Sequence, residues 1–373
     1  MRIFFYAPFK PLDHTSPSGD WVIGTGLWDY LAAQGHRMET PSRFRSRWVY
    51  WQPWTWPRLV KELLRAIRRV RKCKPDLWFT YHSYYKGPDL LGPVVRRKTG
   101  LPYVIFQGVY SSKRKKKIRT RAGYALNKLA LMSAQHVFTN KTKDLINLRR
   151  ILPHHRISYV PPGIYPEDFS FDASARDRLR QLWRVENTPV ILTAAMFRPG
   201  VKTRGLIWVI QACEKLARQK KKFHLVIVGD GKEREKLMRL ARRMLPGRVC
   251  FTGKIPRKLM HQYYSAGDIF AFPGFKESLG MVFLEAQSCG LPVVAMADEG
   301  IPEVVRGNVT GFLIKPFSLG GFVKALDKLL DDPLLRRQMG RAACQYVKER
   351  HDLHKNYRQV ETLIRNLAGN RAL

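Results

Sequence analysis

Residues 268–295 read DIFAFPGFKESLGMVFLEAQSCGLPVVA, and this stretch decides the fold. DIFAFP predicts a strand, FKES a loop, LGMVFLEAQSCG a helix closed by Gly290, and LPVVA the next strand. Apolar strands joined through a helix are typical of a parallel sheet that is covered by helices on both faces.

The same alternation runs along the whole chain. The first 160 residues contain five predicted strands, RIFFYA, DLWFTY, PYVIF, HVFT and ISYV. Six more follow residue 189: VILTAA, FHLVIVG, VCFTG, DIFAFP, PVVAM and GFLI. PPGIYPEDFSFDASARD separates the two series, and its Pro161-Pro162-Gly163 start suits a hinge. We therefore predict an α/β protein of two facing doubly wound, Rossmann-like domains, residues 1–165 and 166–350. A C-terminal helix within 351–373 is expected to pack back toward the first domain.

Composition places the chain among globular, non-spanning proteins. Its 373 residues are 45% hydrophobic, which suffices for two cores, and no apolar run approaches the roughly 20 residues of a membrane span. MRIFFYAPFK is too short for a signal-peptide core and reads as a buried strand. Five scattered cysteines without a C-x-x-C spacing indicate neither zinc nor disulfides, and reduced thiols suit the cytoplasm.

The formal net charge of +38 indicates an anionic partner. Nucleic acid, anionic lipid headgroups and phosphorylated substrates all fit such a surface, and a plain solubility role stays open. The charge is clustered, because residues 61–74 and 113–121 hold seven basic residues each, against one acid and none. Residues 1–170 carry 31 Lys and Arg against 10 Asp and Glu.

Chemistry is expected in the loops that follow the strands, since open parallel sheets bind ligands beyond the carboxyl ends of their strands. In the loop of 272–280, Ser278 suits a helix N-cap and Gly280 lets a ligand approach the backbone. The helix N-terminus would hold phosphate, and Glu277 and Glu285 could accept paired sugar hydroxyls. The alternative is a buried helix with one capping and one solvent-facing glutamate.

Residues 223–316 resemble the family-4 glycosyltransferases of the GT-B fold. The resemblance is found in three stretches: LVIVGDGKEREKL, FTGKIPRKLMHQYYSAGDIFAFPGFKESLGMVFLEAQSCGLPVVA and EGIPEVVRGNVTGFLIKP. It implies that the second domain binds a nucleotide sugar and that the first receives the acceptor. By the same resemblance Glu277 contacts the donor sugar and Glu285 the ribose. The donor diphosphate and sugar would face the backbone of Ser278, Leu279 and Gly280, with Lys254 and Ile255 beside the base.

The family also holds the donor diphosphate with an Arg and a Lys after the first strand of the second domain. MFRPGVKTRGL offers Arg198, Lys202 and Arg204 there. We predict Arg198 and Arg204 as the pair, with Lys202 as a competitor, and an ordinary exposed basic loop as the alternative. No Asp-x-Asp pair or His cluster has ligand spacing, so we predict no metal at the active site. No cofactor is expected either.

The first domain resembles the family less closely. SPSGDWVIGTGLWDYLAAQGHRM resembles its Gly-rich loop and helix with the usual Gly-Gly reduced to Ser18-Gly19, and Gly19 is the candidate for backbone approach to the donor phosphate. PDLWFTYHSYY resembles the strand that ends in a histidine, His82, which is a catalytic candidate or else a satisfied core residue. Gln107 stands where the family often has histidine; it cannot shuttle a proton but can hydrogen-bond a sugar. Tyr165 stands at an often acidic position.

Residues 43–74 combine tryptophan with basic residues, a pattern typical of an interfacial membrane element. Trp48, Trp51, Trp54 and Trp56 precede a basic helix whose apolar stripe is Leu59, Leu63, Ile67 and Val70. In the alternative the stripe packs on the first sheet and the tryptophans line the acceptor cleft. Both can hold in part.

The sequence as a whole favours a metal-independent, retaining glycosyltransferase that uses a UDP- or GDP-sugar. Its acceptor is expected to be an anionic or membrane-borne glycan or glycolipid, such as a lipopolysaccharide core, in cell-envelope polysaccharide synthesis. The expected location is the cytoplasm, peripheral on the inner face of the cell membrane, with an anionic membrane surface as partner and no nucleic acid. The alternatives are a sugar-nucleotide epimerase of the same architecture and a basic nucleic-acid-binding protein.

Overall fold

The computed structural model describes residues 1–10 and 19–369, so Ser18 lies outside the described residues. They form two compact units. The first holds the described residues up to Pro161 together with those from His354 onward, and the second holds Pro162–Leu353.

The first unit is a six-stranded parallel sheet with helices between its strands. Its strand order is β2-β1-β3-β4-β5-β6. The strands are β1 (Arg2–Tyr6), β2 (Arg37–Glu39), β3 (Leu77–Ser83), β4 (Tyr103–Gly108), β5 (His136–Thr139) and β6 (Ile157–Tyr159). The helices are α1 (Gly19–Ala33), α2 (Trp56–Cys73), α3 (Gly92–Thr99), α4 (Ile118–Ser133) and α5 (Thr142–Leu148).

The second unit repeats this plan with the strand order β12-β11-β10-β7-β8-β9, again parallel. The strands are β7 (Val190–Ala194), β8 (His224–Val228), β9 (Val249–Gly253), β10 (Ile269–Ala271), β11 (Val293–Met296) and β12 (Gly311–Ile314). The helices are α6 (Ala173–Trp183), α7 (Val201–Arg218), α8 (Arg234–Met244), α9 (Met260–Ala266), α10 (Met281–Ser288), α11 (Leu319–Asp331) and α12 (Pro333–Arg350).

The central strands are buried on both faces, which explains their continuous apolar sequences. All five residues of β7 and all six of β4 are buried. The prediction of two doubly wound parallel sheets is confirmed. The sequence missed β2, because its Arg-Met-Glu offers no apolar run and its place depends on pairing with β1.

The last helix, α13 (Leu353–Gly369), packs within the first unit. Tyr357 is 2% exposed, and its hydroxyl donates to the Ile23 carbonyl at 3.2 Å. Glu361 Oε1 lies 3.1 Å from His36 Nε2 and accepts from Arg365 at 2.7 Å. Buried aromatic contact and an ion-paired carboxylate therefore hold this helix against α1.

Candidate active site

The loops that follow β7, β8 and β10 lie at the carboxyl edge of the second sheet and are tied to one another. The Phe197 amide donates to the Asp230 carbonyl at 2.9 Å, and the Glu233 amide to the Phe197 carbonyl at 3.1 Å. At Gly229, where φ is 141°, a Cβ would lie 1.9 Å from the Ala195 carbonyl oxygen. Glycine is therefore required for the close approach of these two loops.

Glu277 lies in the loop after β10, where backbone hydrogen bonds hold it from both sides. Its amide donates to the Gly274 carbonyl at 2.9 Å, and its carbonyl accepts from the Gly300 amide at 3.0 Å. Its carboxylate forms an ion pair with Lys202, which lies in the first turn of α7. The two side chains are 19% and 28% exposed. A carboxylate from the loop after β10 and a cation from the start of α7 thus meet at the accessible edge of the sheet.

Ser278 does not cap the helix that follows, so this prediction is wrong. Helix α10 begins at Met281, and its N-cap is Gly280 with φ of 64° and no side-chain cap. A left-handed conformation at this position favours glycine, and a Cβ there would lie 2.8 Å from the Phe283 ring. Ser278 is exposed and Leu279 is 4% exposed. The serine stands ahead of the helix, in the stretch whose backbone is expected to face the diphosphate.

Glu285 lies on α10 and is only 6% exposed. Its Oε1 accepts from Arg257 Nε at 3.1 Å and Nη2 at 3.0 Å, and its Oε2 accepts from the Tyr264 hydroxyl at 3.0 Å. Burial raises the pKa of Glu285, while Arg257 and Tyr264 lower it in part. A carboxylate has about four acceptor positions, so at least one on Oε2 remains for a ligand hydroxyl.

Residues near Lys254 reach the same edge. Lys254 is exposed and Ile255 half-buried directly after β9, and a short 3-10 turn, Arg257–Leu259, follows them. This turn supplies Arg257, so the expected base-binding residues Lys254 and Ile255 lie three and two positions before the partner of Glu285. Sequence reasoning missed Arg257 and Tyr264, because neither carries a local signal and both meet Glu285 only in the folded chain.

The three cations after β7 have different surroundings. Arg198 is exposed in the loop, where its carbonyl accepts from the Thr203 hydroxyl at 2.6 Å. The Arg204 guanidinium lies 4.9 Å from the Phe275 ring centroid and 5.5 Å from that of Phe317. The structure therefore brings Lys202, rather than Arg204, to Glu277.

In the first unit, two neighbouring strands end in left-handed backbone. Tyr81 pairs with Phe106, so the next residues, His82 with φ of 61° and Gln107 with φ of 58°, are neighbours in β3 and β4. Such conformations cost about 1–3 kcal/mol in residues other than glycine and cluster at functional sites. Gln107 is 5% exposed, and its Oε1 has no hydrogen-bond partner among the described residues. The His82 ring packs 5.6 Å from Phe9, and Gly19 begins α1.

Helix α2 carries two apolar strips rather than one. The stripe predicted from the sequence packs inward. Val70 is 4% exposed, and Leu59, Leu63 and Ile67 contact the core of the first unit. A second strip at spacings of four residues lies next to it around the helix and is exposed, with Trp56 51%, Val60 54% and Leu64 51% exposed. The packing alternative is therefore correct for the first stripe, and the second one faces outward.

The segment just before α2 contacts the start of α4, which follows the basic run 113–117. Trp51 Nε1 donates to the Arg119 carbonyl at 2.9 Å, and the Arg119 guanidinium lies 5.7 Å from the Trp48 ring. Trp54 is 73% exposed and Ile118 86% exposed. We call the following residues the basic–aromatic surface: Trp51, Trp54, Trp56, Val60, Leu64, Lys113, Lys115, Lys116, Lys117 and Ile118.

Within residues 1–10 and 19–369, no group of three or more His, Cys, Asp or Glu side chains is arranged to hold a metal ion. No helix in that part of the chain combines the length and the apolar character that crossing a membrane requires.

Comparison with protein families links this geometry to sugar transfer. A family model described as "Glycosyl transferases group 1" matches residues 176–346, which contain Arg198, Lys202, Glu277 and Glu285.

Two relatives are similar over different lengths. The D-inositol 3-phosphate glycosyltransferase of Kribbella flavida is 32% identical over 303 residues, 76% of this chain and 70% of the relative. The GDP-mannose-dependent alpha-(1-6)-phosphatidylinositol monomannoside mannosyltransferase of Mycolicibacterium smegmatis is 32% identical over 196 residues, so the match spans half the length of each chain.

A solved structure is similar over nearly the whole length of the chain. The Anabaena protein Alr3699/HepE, crystallised in complex with UDP, is similar over 98% of this chain and 100% of its own, with a TM-score of 0.75 and 19% identity. This likeness concerns the fold.

Proposed function

Because this chain belongs to the group 1 glycosyl transferases, the family-4 type with the GT-B fold, we propose that it transfers a sugar from a UDP- or GDP-sugar to an acceptor hydroxyl. The observation that carries the proposal is the pairing of Glu277 with Lys202 at the carboxyl edge of the second sheet, one helical segment away from the buried Glu285. The dependence on GDP-mannose of the Mycolicibacterium relative supports a nucleotide-sugar donor.

Each charged group has a distinct proposed role. Glu285, preset by Arg257 and Tyr264, accepts a hydrogen bond from the ribose. Glu277 accepts a hydrogen bond from the donor sugar. Lys202 then turns from Glu277 toward the donor diphosphate and forms an ion pair with it. Arg198, exposed in the same loop, adds a second positive charge. Fixed cations stabilise the negative charge that develops on a departing diphosphate, so we propose that side chains rather than a metal ion do this.

The transfer is proposed to retain the anomeric configuration, as family membership implies. The acceptor oxygen attacks the anomeric carbon from the side of the leaving group, and the bond between that carbon and the diphosphate oxygen breaks. The bonding electrons leave with the nucleotide diphosphate, and a diphosphate oxygen takes the acceptor proton. In the first unit, the unpartnered amide oxygen of Gln107 would accept from a sugar hydroxyl, which relieves a cost of about 1–3 kcal/mol for a buried acceptor without a partner. His82 is proposed beside it.

The acceptor is proposed to be an anionic glycolipid or lipid-linked glycan, reached at a membrane surface through the basic–aromatic surface. This surface pairs exposed indole rings with four exposed lysines, the combination that lies in the headgroup region of anionic bilayers. The phosphatidylinositol mannoside acceptor of the Mycolicibacterium relative supports a lipid-borne acceptor. A peripheral place on the inner face of the cell membrane would follow from it.

A panel of UDP- and GDP-sugars, incubated with membrane lipid extract and with the chain, tests this proposal. Glycosyl transfer with release of the nucleotide diphosphate supports it, and NMR of the product reports the anomeric configuration. Epimerised donor without transfer, or binding of nucleic acid without any reaction of the donors, would contradict it. Persistence of transfer in EDTA supports the cationic mechanism, whereas loss in EDTA with recovery in Mg²⁺ or Mn²⁺ would overturn that part.

A further inference from the structure

A cavity lies within the second unit, at the edge of the sheet opposite to the candidate active site. Its volume is about 820 Å³. Gly267 and Asp268, just before β10, and Gly290, Leu291 and Pro292, just before β11, line it. Because these strands are parallel, the cavity is at their amino ends, whereas Glu277 follows the carboxyl end of β10.

One side of helix α12 gives this cavity a strong positive charge. Arg337, Arg341 and Lys348 line it and are exposed. Their spacings of four and seven residues place them on one side of the helix. At 1.5 Å per residue, they extend over roughly 16 Å along its axis. A single phosphate is too small to meet all three.

Two further arginines form the wall and are already bonded. Arg176 Nη2 donates to Asp268 Oδ1 at 2.6 Å, and its Nη1 donates to the Gly267 carbonyl at 2.8 Å. Arg336 Nη1 donates to the Leu330 carbonyl at 2.8 Å. Burial, together with the charges of Arg337 and Arg176, lowers the pKa of Arg336. The wall is therefore rigid, and its cations repel one another.

Arg337 and Arg341 remain available to a ligand. Among the described residues, neither makes a hydrogen bond or an ion pair, and Asp268 is the one carboxylate that lines the cavity. Asp268 is also bonded to Arg180 at 2.9 Å. The positive charge of Arg337 and Arg341 is therefore not neutralised by a carboxylate of the cavity, which suits an anion with more than one charge.

The remaining wall is mainly apolar, although Ser170 and Ser288 also line it. Phe171 lines the cavity and is 56% exposed, and Pro166, Pro292 and Pro333 line it as well. The volume lies within the range of about 300–1,000 Å³ that is usual for small-molecule sites. An uncharged ring can pack on such a wall while phosphates meet the guanidinium groups, whose planar forks bind phosphate oxygens in pairs.

We propose that this cavity binds a small soluble phosphorylated sugar, with its phosphates on Arg337 and Arg341 and its ring against Phe171. The site is separate from the donor site and does not depend on the proposed transfer reaction. Its ligand would therefore bind together with the nucleotide and would not compete with it.

Calorimetric titration of the full chain with glucose 1,6-bisphosphate at constant ionic strength tests the proposal. We expect saturable binding in the presence of excess UDP and GDP. The double variant Arg337→Ala/Arg341→Ala should weaken this binding at least tenfold, because it removes both guanidinium groups that are proposed to contact the phosphates. Arg242→Ala/Arg243→Ala removes the same charge from exposed residues of α8 and should leave binding within twofold.

A third variant, Phe171→Ala, should weaken the sugar bisphosphate but leave the weaker binding of inorganic phosphate unchanged. Thermal melting of each variant reports whether it is folded. No binding to the parent chain, equal weakening by the α8 control, or displacement of the probe by UDP or GDP would each overturn the proposal.

Discussion

Glu277 and Glu285 are eight positions apart, yet their surroundings differ in kind. Glu277 is partly exposed and forms an ion pair with Lys202. Glu285 is buried and accepts hydrogen bonds from Arg257 and Tyr264. A ligand can displace Lys202 at small cost, because an accessible ion pair contributes about 0–1 kcal/mol. Displacing Arg257 from a buried carboxylate costs more. The first glutamate is therefore suited to a partner that changes during a reaction, and the second to one that only binds.

We predict that Glu285→Ala weakens nucleotide diphosphate binding, because the ribose loses its acceptor and Arg257 and Tyr264 lose theirs. Glu277→Ala should lower turnover more than nucleotide affinity, since this residue is proposed to touch the transferred sugar. Titration calorimetry with UDP and GDP measures the affinities, and initial rates measure turnover. Glu235→Ala, which removes an exposed glutamate from α8, is the matched control. Unchanged nucleotide affinity in Glu285→Ala would refute the ribose assignment.

Among the cations, we predict that Lys202→Ala lowers kcat at least a hundredfold, since losing one group that stabilises developing charge costs about 2.7–4 kcal/mol. Arg198→Ala should lower it as well, by less, because this side chain is exposed and makes no hydrogen bond or ion pair among the described residues. Arg204→Ala should mainly lower stability, since its guanidinium packs on Phe275 and Phe317. Steady-state rates and melting temperatures of the three variants separate these effects. An Arg204 variant that melts like the parent but has lost turnover would restore the pair predicted from sequence.

At the scale of elements, helix α13 completes the first unit. Tyr357 is buried in ring contact with Tyr30, at 5.6 Å between centroids, and with Phe106, at 6.2 Å. The helix is separated from the rest of this unit by the whole second unit in sequence. When α13 packs on the first unit, it closes a loop that contains the whole second unit. Burial of side chains such as Tyr357 must offset the chain entropy that this closure costs.

Tyr357→Ala should destabilise the first unit by about 3–5 kcal/mol, the usual cost of truncating a buried aromatic side chain. Seven of the nine tryptophans lie before residue 162, so tryptophan fluorescence during urea unfolding reports chiefly on this unit. Gln359→Ala, exposed on the same helix, is the control and should change stability by less than about 0.5 kcal/mol. Equal midpoints for the two variants would mean that α13 contributes little to the unit.

At the scale of the whole molecule, the charge of +38 is organised rather than spread. The first unit carries its exposed lysines beside exposed indoles, while the second gathers arginines around a cavity. The two arrangements suit different anions: an extended surface in the first case and a small molecule in the second.

We predict that the chain binds vesicles of anionic but not zwitterionic lipid, and that high salt weakens this binding by screening. Each basic group near such a bilayer contributes about 1 kcal/mol, so changing Lys113, Lys115, Lys116 and Lys117 to Gln should weaken binding at least tenfold. Arg114 is left in place because it packs on the Tyr85 ring at 4.4 Å. Vesicle flotation measures the bound fraction.

The matched control changes four exposed cations of the second unit, Lys232, Arg239, Arg242 and Arg243, to Gln. It removes the same charge, so an equal loss of flotation would show that net charge, not the basic–aromatic surface, is responsible. Trp54→Ala should weaken the binding that survives at high salt, because an apolar anchor is not screened. A parent chain that stays in the soluble fraction at low salt would exclude this surface as a membrane dock.

The sequence by itself determined the two parallel sheets, the loops that bear the site and the family resemblance around Glu277 and Glu285. These depend on local patterns: continuous apolar strands, helical periodicity and glycines at turns, all readable within a few residues. Only the tertiary structure decided that Lys202 rather than Arg204 meets Glu277, that Arg257 and Tyr264 hold Glu285, and which strip of α2 faces outward. The physical reason is that these choices depend on residues 20 to 75 positions apart, or on the face that a helix presents to the core, and no local pattern records such contacts.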